Sequence, residues 1–122
     1  MPRIPRPERR AARESDILRA IMLDLGREPD TLVIRNNVGR AVHVGADGTE
    51  WTVPYGLGVG SPDLLCVTAG HAWGIEVKPP GKRCTPDQLA CHARWARHGL
   101  HVTIAHNVAE AREALTRARA VR

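Results

Sequence analysis

Residues 61–83 read SPDLLCVTAGHAWGIEVKPPGKR, two apolar runs on either side of Ala69-Gly70. If Ala69 and Gly70 form the turn of a hairpin, antiparallel partners have residue numbers that sum to 139, and Asp63 faces Glu76. Directly opposed side chains have Cβ atoms about 4.5–5.5 Å apart, and like charges placed there are destabilising. The run LLCV shows no alternation, which predicts a strand covered on both faces. Two carboxylates facing each other at the end of a covered hairpin require an explanation.

A divalent cation between them supplies one, because it turns mutual repulsion into shared attraction and oxygen ligands suit Mg2+. Alternation along the second strand puts Lys78 on the same face as Glu76. An ammonium there can orient or deprotonate a water and balance charge developing on a phosphate. Pro62 before Asp63 and Pro79-Pro80 after Lys78 end both strands at one place, so the three groups gather at one sheet edge. The plainer alternative is a surface ion-pair set, with Lys78 bridging two carboxylates at a solvated strand end.

The rest of the chain supplies the surroundings. Residues 1–13 hold three Pro and five Arg without apolar periodicity, a basic arm suited to tethering on phosphates. In ESDILRAIMLDLG, residues Ile17, Leu18, Ile21, Met22 and Leu25 form one stripe on a helix ending at Gly26. Glu14 extends that face by a turn. It either complements the helix dipole or points toward the buried side of the domain. TLVIRN reads as a strand, RAVHVGADGTEWTV as a hairpin turning at Asp47-Gly48, and PYGLGVGSP as a loop. After the hairpin of 61–83, Thr85-Pro86-Asp87-Gln88 reads as an N-cap, a proline at N1 and a capping-box Gln. That helix is predicted to run to Gly99. LHVTIAH is a strand, and Asn107 with Glu110 opens a last helix toward Arg119. The expected order is α-β-β-β-β-α-β-α, a single domain over 14–122 behind the arm.

With no Phe, one Tyr and three Trp, the core is expected to consist of Leu, Ile, Val and Ala, thin enough to favour association with a second copy. Eighteen Lys and Arg against thirteen Asp and Glu give +5, which favours a polyanionic partner, nucleic acid or an acidic membrane surface. No apolar run approaches the ~20 residues of a membrane span, and the N-terminus lacks the apolar region of a secretory signal. Three cysteines without C-x2-C spacing suggest reduced thiols in a cytoplasm, bacterial or that of a phage-infected host. The spacing of Cys84, Cys91 and His92 matches no common zinc module. His92, His98, His101 and His106 are assigned to surfaces and helix ends, none as a ligand, and Trp95 to packing or a subunit contact. No helix-turn-helix, zinc finger, RNA-recognition signature or nucleotide-binding P-loop is found, so no nucleotide cofactor is expected.

At these residues the sequence resembles the PD-(D/E)XK nuclease superfamily, and within it the VRR-NUC family of virus-type replication and repair nucleases. Glu14 in ESDIL, RNNVG at 35–39, YGLGVGSPDLL at 55–65, GIEVK at 74–78 and PDQLACHARWARHGLHV at 86–102 stand in the family's order. The resemblance implies a restriction-endonuclease-like α/β fold, a central mixed sheet flanked by helices. It implies Asp63 and Glu76 as metal ligands, the backbone carbonyl of Val77 completing the set, and Lys78 as the base that positions water. Glu14 matches a first-helix glutamate close to the metal, and Gln88 a glutamine opening the helix after the site. Asn36, Asn37 and Gly39 match a turn expected near DNA. By position, Lys82 and Arg83 are expected at phosphates beside the cut.

The function this implies is that of a Mg2+- or Mn2+-dependent DNA endonuclease, hydrolysing phosphodiester bonds to 5′-phosphate and 3′-hydroxyl ends. So small a chain has little surface for reading bases and should recognise backbone and shape. Branched DNA is favoured, with a homodimer of the kind that resolves four-way (Holliday) junctions as the leading expectation. A flap or nicking nuclease, or an RNA-cutting relative, is an alternative with the same site. A catalytically silent nucleic-acid-binding module of the same fold is an alternative of another class.

Overall fold

In the computed structural model the described residues are 13–121, so the basic arm, apart from Arg13, lies outside them. The first helix, α1 (Glu14–Leu25), stops at Gly26 and buries Ile17, Leu18, Ile21 and Leu25. Five strands follow: β1 (Thr31–Arg35), β2 (Gly39–Val44), β3 (Glu50–Tyr55), β4 (Leu64–Thr68) and β5 (His71–Val77). The chain closes with α2 (Pro86–Arg97), β6 (Val102–Ala105) and α3 (Val108–Ala120). There is one strand more ahead of α2 than the expected order has, because the hairpin turning at 45–49 contributes two. α2 ends at Arg97, two residues before the expected Gly99, with His98 as its C-cap.

Strands β1, β4, β5 and β6 make a mixed sheet in the order β1-β4-β5-β6, with β5 and β6 parallel and the other pairs antiparallel. Leu64 pairs with Ile75 and Cys66 with Trp73, which is the register set by a turn at Ala69-Gly70. Both turn residues have positive φ, 49° and 81°, as a tight two-residue hairpin turn demands. Leu64, Cys66, Trp73, Ile75 and Val77 share one face and form a single buried cluster with α1 and α3. Trp73 belongs to that core, so it is not wholly aliphatic; its indole N–H is satisfied by Thr68 Oγ1 at 3.0 Å. On the opposite face coverage is partial. Leu65 and Val67 are half-buried, and Leu32 and Ile34 beside them are exposed. The expectation of a strand covered on both faces therefore fails for β4, since α2 lies beyond β5 and does not reach over β1.

The β2–β3 hairpin forms its own two-stranded sheet and packs on no other element among the described residues. One of its faces carries Trp51, Val53 and Tyr55, with His43 stacked on Trp51 at 5.7 Å between ring centres. Trp51 is 50% exposed. Opposite the sheet edge, Arg112 pairs with Asp24 and Glu28, and Arg119 with Glu28 and Asp30, tying α3 to the end of α1 and the loop before β1. No helix among the described residues is long and apolar enough to cross a membrane.

Candidate active site

The site begins where β4 and β5 end. Continuing the β4–β5 register by one pair brings Asp63 opposite Glu76, and Asp63 Oδ2 accepts a 2.7 Å hydrogen bond from the backbone N–H of Val77. The Asp63 carbonyl accepts from the N–H of Asn36 at 2.8 Å, so Asp63 is held by β1 on one side and β5 on the other. Glu14, at the first turn of α1, joins them. Carboxylate oxygens of Glu14, Asp63 and Glu76 all lie within 4.8 Å of one another. Among the described residues this is the one cluster of three such side chains able to share an ion; Cys84, Cys91 and His92 form none.

Glu76 is only 1% exposed and Lys78 8%, so the picture of a solvated ion-pair set does not describe this place. Burial, followed by the neighbouring Asp63, drives the Glu76 carboxyl well above the ordinary carboxylate range; Lys78 opposes that rise and Glu14 adds to it. Lys78 continues β5, donating its N–H to the Ala105 carbonyl at 3.1 Å, and it forms no ion pair within 4 Å among the described residues. Its charge is thus near the carboxylates without being consumed by one of them. The donor set is all carboxylate oxygen, what a hard divalent cation takes, and it is crowded enough to favour the proton on Glu76 when no cation compensates. On both counts the residues fit Mg2+ or Mn2+.

Beside Asp63 lies an open groove of about 350 Å³, with Arg35, Asn36, Asn37, Ser61, Asp63 and Gln88 among its walls. The Asn36 amide spans it, donating to Ser61 Oγ at 2.7 Å and the Pro62 carbonyl at 2.8 Å and accepting from the Leu57 N–H at 3.0 Å. Its side chain is committed to shaping the loop that delivers Asp63. Gly60 in that loop has φ +81°, and a Cβ there would lie 2.3 Å from the Asp87 carbonyl; the loop can press against the start of α2 only with glycine. Gln88 closes a capping box with Thr85, each N–H bonded by the other's side chain, and it also faces the groove. Asn37 is exposed at the rim. Gly39 opens β2 beneath the Tyr55 ring, whose hydroxyl lies 2.2 Å from where a Gly39 Cβ would be. Lys82 and Arg83 are exposed in the loop between β5 and α2.

Two residues beside the site were not singled out from the sequence. Arg35 ends β1 in the groove wall; its place in RNNVG was the available signal. His92 of α2 comes to 3.4 Å from Glu76 Oε1. Only its helical spacing from Gln88 pointed there. Trp95 is half-buried rather than an open contact.

A mixed sheet flanked by helices, with an acidic cluster where two adjacent strands end, defines the class of fold. No family model matches the chain, and no curated protein matches it. Among solved structures it is similar to one described as a VRR_NUC domain, with TM-score 0.54 and 21% identity over 84% of this chain and 94% of the other. The chain has the fold of a VRR_NUC domain, as the resemblance led one to expect.

Proposed function

We propose that this protein is a divalent-metal-dependent nuclease that hydrolyses DNA phosphodiester bonds, with Glu14, Asp63, Glu76 and Lys78 as its working groups. The observation that carries the reading is the convergence of three carboxylates beside an unpaired, largely buried lysine. Asp63 and Glu76 would hold Mg2+ or Mn2+, with the Val77 carbonyl as a further ligand and Glu14 acting directly or through water. Such an ion, when bound, polarises the phosphoryl oxygen and lowers the cost of forming hydroxide. Lys78 Nζ orients the attacking water in line with the 3′ leaving oxygen and takes part in moving its proton. Val77 N–H keeps Asp63 turned into the site, and Gln88 fixes the start of α2 beside it. Arg35, Lys82, Arg83 and Asn37 offer phosphate contacts on either side, backbone recognition without base reading.

Branched DNA and a homodimer complete the proposal. A four-way junction presents two equivalent strands about a near two-fold axis, and a C2 dimer places one site on each. The projecting hairpin with Trp51, Val53 and Tyr55 supports association, because large uncovered apolar stripes mark contact surfaces. Four-way junction, flap, nicked and linear duplexes at equal concentration, each with Mg2+, Mn2+ or EDTA, test the whole reading. Paired cuts in the junction that vanish in EDTA are expected. Equal cutting of linear duplex by a monomer would move the assignment to a flap or nicking nuclease, and metal-dependent binding without cleavage to a silent module.

A further inference from the structure

Across the described residues, the buried side-chain polar atoms left without a hydrogen-bond partner are Glu76 Oε1 and His92 Nε2. They face each other at 3.4 Å. Two buried polar atoms that lack partners and point at one another are a pair awaiting a small rotation of the imidazole, since a buried polar group is normally satisfied. His92 stands one helical turn beyond Gln88 in α2, which packs on β6, and its side chain reaches back to Glu76 in β5. It is outside the set of converging carboxylates, so it does not join them as a ligand. A neutral imidazole carries a hydrogen on one of its two nitrogens, available to donate.

We infer that His92 is a positioning residue for the metal-holding carboxylate: its Nε2–H donates to Glu76 Oε1 and turns the carboxylate toward Asp63 and Glu14. This rests on the reading of Glu76 as a ligand. Ligating carboxylates are commonly oriented by a hydrogen bond from behind, and loss of such a partner weakens metal binding about 10–100-fold. With Oε1 taken by this hydrogen bond, the other oxygen of Glu76 is left to face the cation. It also gives α2, which buries no residue fully, a specific attachment at the site.

Calorimetric Mn2+ titration of the intact chain, its His92→Ala, His92→Gln and Asp63→Asn variants, and circular dichroism to check folding, test it. His92→Ala is expected to weaken Mn2+ binding about 10–100-fold, and His92→Gln, which keeps an amide donor, to recover most of that loss. Long-range 1H–15N spectra of the Mg2+-loaded protein should show the His92 hydrogen on Nε2, a readout that stands even if His92→Ala does not fold. Parent-like Mn2+ affinity in His92→Ala while Asp63→Asn has lost it overturns the inference and leaves the metal site standing. A bare Nε2, or a folded His92→Gln no better than His92→Ala, overturns it too. If the parent binds no Mn2+, or Asp63→Asn binds it unchanged, the metal reading falls and this inference with it.

Discussion

Glu76 concentrates the chemistry of the site in one side chain: buried, opposite Asp63, near Lys78 and His92. Its raised pKa has a thermodynamic consequence. A carboxyl bound to its proton more tightly in the folded than in the unfolded chain adds stability that is complete below the unfolded value, near 4.5. That stability is lost as pH rises through the folded value. The metal-free protein is therefore expected to melt at progressively lower temperature as pH rises above about 5, and Glu76→Gln to flatten the trend. Thermal scans in EDTA across pH check this, and an equally steep fall in Glu76→Gln would assign the effect elsewhere. Asp63→Asn and Glu76→Gln should both abolish cleavage while DNA binding persists in a gel-shift assay; normal cleavage by either would remove the assigned ligands. Lys78→Ala should lower turnover more than Mn2+ affinity, because a protonated lysine cannot ligate a cation. Collapse of affinity with normal turnover at saturating Mn2+ would contradict that role.

At the level of elements, the site depends on connections that carry no catalytic group. The loop from Gly56 to Pro62 is clamped by Asn36 on one side and rests on the first turn of α2 on the other, with Gly60 at the contact. Gly60→Ala must both adopt a positive φ and displace the Asp87 carbonyl, and positive φ alone costs an L residue roughly 1–2 kcal/mol. The expected result is a lower Tm together with weaker Mn2+ binding, as Asp63 moves with its loop. A variant with unchanged Tm and affinity would show that the loop has room the geometry denies. The reverse change is available at Ala69, whose φ of 49° suits asparagine better. Ala69→Asn should raise Tm by a few degrees, up to about 1 kcal/mol, with the site untouched.

Across the whole molecule, basic charge is divided by use. Arg112 and Arg119 are spent on Asp24, Glu28 and Asp30, away from the carboxylate cluster, while Arg35 in the groove wall and Lys82 and Arg83 in the loop before α2 form no such pairs among the described residues. Under the proposed function, DNA binding should weaken steeply between low and physiological salt through counterion release. Sedimentation should report a dimer, and Trp51→Ser with Tyr55→Ser should shift it toward monomer and reduce paired junction cuts. A dimer unaffected by that double change would place the interface elsewhere.

What was legible in the chain follows from where the constraints are local. Turn chemistry at Ala69-Gly70 set the register, and alternation then placed Asp63 against Glu76. The stripe of α1 and the Thr85–Gln88 capping box declared themselves because helix ends and faces repeat at short spacing. The strand LLCV misled because an apolar run records composition, whereas burial depends on what lies above it. α2 stops short of β1 and leaves Leu32 and Ile34 open. Trp73 lies on the buried face of β5 with its indole satisfied by Thr68 across the turn, and His92 met Glu76 because the crossover from β5 to β6 packs α2 on β6 and brings that side chain back to β5. The second contact joins separate elements. The sequence by itself determined the elements and the pairing of two carboxylates, through interactions within a few residues or one turn. Only the tertiary structure decided that Glu76 is buried and that a histidine stands behind it, because those depend on how helices far apart in the chain settle on the sheet.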